Sequence, residues 1–142
     1  MPTLTVEVPA SGASSDAVTN GLRTWNSQFI DTTPAARFNV VLRDEHDEIV
    51  GGCLCETRWN WLYVDVLWVG DAYRGEGFGT ELLAAAEAEA RKHGCTRAYL
   101  DTLSFQARPF YESLGWTLFG TQEGFPPGQT RFFLQKDLTL TS

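Results

Sequence analysis

The spacing of apolar residues changes several times along the chain, and each change predicts an element. Leu4, Val6 and Val8 alternate with polar neighbours, which predicts a strand over residues 3–8 ending at Pro9. From Asp16 the period lengthens: Val18, Leu22, Trp25 and Phe29 recur at helical spacing, with Ser14 or Ser15 as the cap and an end before Pro34. Residues 38–42 and 49–55 flank the acidic turn Asp44, Glu45, His46 and Asp47, the pattern of a hairpin whose charges are solvated. Residues 61–69 are apolar on both faces apart from Asp65, which predicts a central strand covered on both sides. A helix over 80–93 follows, with Glu81 in its first turn, Arg91, Lys92 and His93 in its last, and Gly94 as its stop. Within it Glu87 and Arg91 stand one helical turn apart and can pair.

The remainder predicts a short strand over 97–101 and a helix over 107–114 with Pro109 in its first turn and Gly115 ending it. Strands over 116–120 and 131–136 close the chain, separated by a loop marked by Gly124, Pro126, Pro127 and Gly128. Strands and helices in this order imply an α/β fold, a mixed sheet with helices on its faces. No repeat or linker interrupts it, so one domain over 1–142 is expected.

Composition narrows the function. A chain of 142 residues with 43% hydrophobic content can bury a core without a metal or disulfide staple. Its net charge of −7 repels polyanions, which argues against nucleic acid and suits a cationic partner. Cys53, Cys55 and Cys95 lack a Cys-x-x-Cys spacing and read as buried free thiols. His46 in a polar turn and His93 at a helix end suggest no metal site. The first residues lack a basic stretch followed by an apolar one, and no apolar run reaches membrane-spanning length. The expectation is a soluble, cytoplasmic protein with no membrane partner.

Arg74, Gly75, Glu76, Gly77, Phe78, Gly79 and Thr80 join the central strand to the strong helix. Their glycines let successive main-chain N–H groups face one point, and the helix dipole and Arg74 add positive charge. This suits a pyrophosphate, provided that Glu76 points outward. Gly75 and Gly77 with Asp101 also suggest a dinucleotide fold, but the third glycine falls at Gly79, one residue early.

Arg74, Gly77 and Gly79, preceded by Val-Asp-Val-Leu-Trp-Val, resemble the R/Q-x-x-G-x-G/A signature of the GNAT N-acetyltransferase superfamily. Residues 100–116 resemble that family's later motif, a short strand and helix ending in Tyr, then Leu-Gly and an aromatic residue. The resemblance covers roughly residues 40–136. It implies a mostly antiparallel central sheet splayed between the fourth and fifth strands, 61–69 and 97–101. It also implies acetyl-CoA as cosubstrate, with its pyrophosphate on the loop amides and its pantetheine on main-chain groups of Leu67, Trp68 and Val69. The Trp68 side chain itself is expected in the core. Gln106 stands where many relatives have a cofactor-facing Asn.

Acetyl transfer to an amine needs a donor for the developing oxyanion, a proton for the thiolate and a neutral amine. The resemblance implies a backbone N–H near Val69 for the first and Tyr111 for the second. Asp65, expected to find a partner or shift its pKa, and Glu56, acting through water, are the candidate bases. Trp59 and Trp61 beside the cleft, and Phe125 with its Gly-Pro-Pro-Gly loop, are candidate walls for the acceptor. The expected reaction is direct attack by a small cationic amine without metal. The alternatives are a non-catalytic acyl-CoA-binding module and protein-lysine acetylation. Exposed sheet edges make a homodimer the candidate assembly.

Overall fold

A computed structural model describes residues 1–140 as two compact units, Met1–Pro34 and the chain from Ala35 onward. In the first unit the strand expected over residues 3–8 does not form, and Leu4, Val6 and Val8 are exposed. Alternation specifies a strand only where a neighbour accepts its ladder bonds. Here Glu7 instead accepts from the hydroxyls of Ser14 at 2.6 Å and Ser11 at 3.1 Å, bonds that lower its pKa. Helix α1 (Gly12–Asn26) therefore starts earlier than Asp16, and its cap is Ser11, whose hydroxyl accepts from the Ser14 amide.

The second unit is built on a six-stranded sheet: β1 (Ala36–Arg43), β2 (Ile49–Arg58), β3 (Trp61–Val69), β4 (Arg97–Leu103), β5 (Thr117–Glu123) and β6 (Thr130–Asp137), ordered β1-β2-β3-β4-β6-β5. Every neighbouring pair is antiparallel except β3 and β4. The β1–β2 turn is organised by its charges rather than merely solvated, because the Asp44 carboxylate accepts from the amides of His46 and Glu48. Trp59 and Asn60, both at positive φ, make the tight β2–β3 turn.

The parallel ladder between β3 and β4 runs only from Trp61 and Arg97 to Val64 and Leu100. Just there β3 carries a bulge: Leu54 pairs with Val66 and Cys55 with Val64, which leaves Asp65 without a partner. A bulge bends its strand, and past it β3 parts from β4. The expected splay is thus present. The expected cover on both faces of β3 is not, since Leu62 and Val64 are buried while Val66 and Trp68 are about half exposed.

Helix α2 (Phe78–Lys92) packs Leu82, Leu83, Ala86 and Ala90 into a core with Cys53, Leu62, Val64, Ala98, Leu100 and Leu134. Helix α3 (Arg108–Ser113) adds Tyr111 to that core. All three cysteines are free and buried, as expected. Glu87, buried in α2, pairs with Lys136 at 2.9 Å as well as with Arg91 at 3.7 Å. Among the described residues no helix is long and apolar enough to cross a membrane, and no three metal-binding side chains cluster.

Leu62 is fully buried beneath α2, so Leu62→Ala is expected to cost about 2–5 kcal/mol in a urea titration, with an unchanged slope.

Candidate active site

Where β3 and β4 separate, a cavity of about 840 Å³ opens, within the range usual for small-molecule sites. One wall is β3 from Val64 to Val69 and the opposite wall Leu100, Asp101 and Thr102 of β4. The start of α2 and residues of α3 complete it. Asp65, Leu67, Trp68, Val69, Arg74, Gly75, Gly77, Phe78, Gly79, Thr80, Gln106 and Tyr111 all border this one space.

The loop into α2 is shaped for close approach of an anion. Gly75 and Gly77 have φ of 78° and 87°, where a side chain is strained, and Gly77 sits at the N-cap. A Cβ on Gly79 would meet the Phe110 ring at 3.2 Å, so glycine lets α2 and α3 touch. The N–H groups of residues 75–80 donate to no protein acceptor among the described residues, and the first helical bond that closes here runs from Glu81 to the Gly77 carbonyl. A helix N-terminus with this many unspent donors holds an anion through main-chain bonds and dipole together. Glu76, exposed and off the cavity wall, does not oppose it. The loop therefore fits the diphosphate of an acyl-CoA.

Arg74 is committed more tightly than its sequence position suggests: Nε donates to the Val69 carbonyl at 3.0 Å and Nη1 pairs with Asp71 at 3.1 Å. It ties the loop to the end of β3 while leaving positive charge at the rim. The Gly70 amide donates to Val50 across the β2 side. Alternation along β3 accordingly turns the peptide groups of Val69 and Leu67 toward the gap. Trp68 is 49% exposed rather than in the core, because its neighbours Leu67 and Val69 face the core and alternation turns Trp68 to the other side of the sheet. The side-chain oxygen of Gln106 accepts from the Leu103 amide at 2.7 Å and from the Thr102 hydroxyl at 3.2 Å, so it closes the turn after β4 and leaves only its NH₂ for a ligand.

Tyr111 is 9% exposed and borders the cavity, and burial pushes its phenol up to about 12. At neutral pH it is a proton donor. The two candidate bases separate. Asp65 lies open on the cavity wall and makes no ion pair among the described residues. Glu56 is off the cavity and held by Arg37 at 2.9 Å. Trp59 and Trp61 sit at the end of β3 remote from the cavity, where Arg58 and Arg97 cover their rings, so neither walls the cleft. Tyr73 and Phe105 do border it, although neither stood out in the sequence. Their roles depend on loop paths that no spacing encodes.

The Acetyltransferase (GNAT) family model matches residues 11–116, about three-quarters of the chain. The chain belongs to the GNAT family of acetyltransferases. An acetyltransferase of Agrobacterium fabrum is 35% identical over 127 residues, 89% of this chain and 93% of that protein. The blasticidin-S acetyltransferase of Streptomyces morookaense is 42% identical over 95 residues, 66% of this chain and 70% of that one. The crystal structure of an acetyltransferase from Bacillus cereus superposes with a TM-score of 0.85 at 28% identity, over 94% of this chain and 97% of that chain. This GNAT enzyme is an acetyl-CoA-dependent N-acetyltransferase.

Two results are expected. Gly77→Ala, forced to positive φ, costs about 1–2 kcal/mol of stability and weakens acetyl-CoA binding measured by calorimetry. Tyr63 and Tyr111, each raised to about 12, ionise well above 10.0 in an ultraviolet phenolate titration, and the Phe variants each remove one such step. Their folded pKa values exceed the ordinary 10.0, so the native state holds more protons between the two values. Their contribution to stability is complete below the ordinary value and is lost as pH rises through about 12.

Proposed function

We propose that the enzyme acetylates a small cationic amine by direct attack on acetyl-CoA, with Tyr111 as the acid and Asp65 as the base. The observation that carries this reading is that a buried phenol and an unpaired carboxylate border the same cavity as the α2 amides. Acetyl-CoA supplies the acetyl thioester. The chain's tasks are then to remove a proton from the ammonium, to hold the thioester carbonyl and to return a proton to sulfur.

Asp65 suits the first task because it is reachable from solvent and makes no ion pair among the described residues. The Val69 amide, turned into the gap, suits the second. Tyr111 suits the third, since burial keeps its proton at every physiological pH and its ring is fixed against Trp116 at 6.2 Å. A cationic acceptor is favoured by the net charge of −7 and by carboxylates on the cavity wall. A small molecule is favoured over a protein by the name of the Streptomyces morookaense relative. Three reduced thiols suit a cytoplasmic setting.

A panel of amines assayed by release of the CoA thiol tests the reading. Tyr111→Phe is expected to lower kcat by about 100-fold while leaving acetyl-CoA affinity nearly intact. Asp65→Asn should depress kcat/KM for the amine, and Glu56→Gln should leave it close to wild type. Undiminished turnover in Tyr111→Phe would remove the acid assignment, and turnover lost in Glu56→Gln but kept in Asp65→Asn would reverse the base assignment.

A further inference from the structure

The cavity has two electrically different sides. Leu100 and Thr102 point into the core, 1% and 2% exposed, so the intervening Asp101 faces the other side of the sheet. By the same alternation Tyr63, between buried Leu62 and Val64, shares that outer side. There the Tyr63 hydroxyl donates to Asp101 Oδ1 at 3.3 Å and Arg131 Nε donates to Asp101 Oδ2 at 3.0 Å. Arg131 continues to Gln122 at 3.4 Å and lies under the Phe125 ring at 4.7 Å. The Gly124–Gly128 loop is thereby connected through one guanidinium to a carboxylate on the cavity wall.

Asp101 and Asp65 both border the cavity, and Arg131 pairs with Asp101, which leaves Asp65 without an ion pair among the described residues. The α2 amides present positive charge on the other. We infer that Asp101, held in place by Tyr63 and Arg131, binds the ammonium of the acceptor together with Asp65, so that the amine enters from the outer side of the sheet and meets the thioester through the gap. Tyr63 and Arg131 are positioning residues: they fix the carboxylate's direction, and Arg131 couples that direction to Phe125. This rests on the small-amine reading above and deepens it.

The test uses full-length enzyme, acetyl-CoA and butylamine, benzylamine, putrescine and spermidine as probes. Asp101→Asn is expected to raise the KM of every accepted amine about tenfold or more, with the acetyl-CoA Kd by calorimetry within about twofold of wild type. Tyr63→Phe should raise amine KM less. Asp101→Asn also leaves Arg131 unpaired, so the double variant Asp101→Asn/Arg131→Gln is decisive: it removes that stray charge and keeps two groups able to hydrogen-bond. Ammonium binding requires KM to stay high in the double variant, whereas a structural role for the pair requires recovery. Recovery, or an unaltered KM in Asp101→Asn, overturns the inference and leaves the acetylation of small amines standing. A wild type that binds acetyl-CoA and acetylates none of the four overturns both.

Discussion

The parallel ladder between β3 and β4 stops after Val64 and Leu100, and most of what the molecule can do follows from that stop. A continuous ladder would spend the peptide groups of Leu67 and Val69 on β4 and close the sheet over the cavity. The bulge at Asp65 prevents this. One extra residue, between a buried Val64 and an exposed Val66, turns a core strand into the wall of a cleft. It also delivers a carboxylate to that wall without burying it.

Two opposite fields meet at the gap. Unspent amides and the dipole of α2 create positive potential without a committed side chain, and Arg74 is occupied in fastening the loop to Val69 and Asp71. Asp65 and Asp101 create the negative side. A polyanion is drawn to the first side of the opening and a cation to the second. Tyr111 stands apart from both fields as a neutral donor, kept neutral by the core that surrounds its ring.

Much of this was legible in the residue order. The glycine loop, the strand before it and the Tyr-x-x-Leu-Gly-Trp-like turn after Pro109 each encode local backbone requirements, and local requirements are what a sequence states directly. Gly77 needs positive φ, and α2 needs its apolar stripe. The failures share one cause. Residues 3–8 alternate correctly but have no ladder partner, and Trp61 stands at the end of its strand away from the cavity.

The sequence by itself determined most of the elements beyond residue 35, the glycine turn into α2 and the position of Tyr111 on α3, because each is written in a run of neighbouring residues. The tertiary structure alone decided which carboxylate is free, where β3 loses its neighbour, and that Tyr63, Asp101 and Arg131 meet although 38 and 30 positions separate the partners in the chain. Burial and charge pairing are properties of surroundings, and surroundings exist only once distant strands lie side by side.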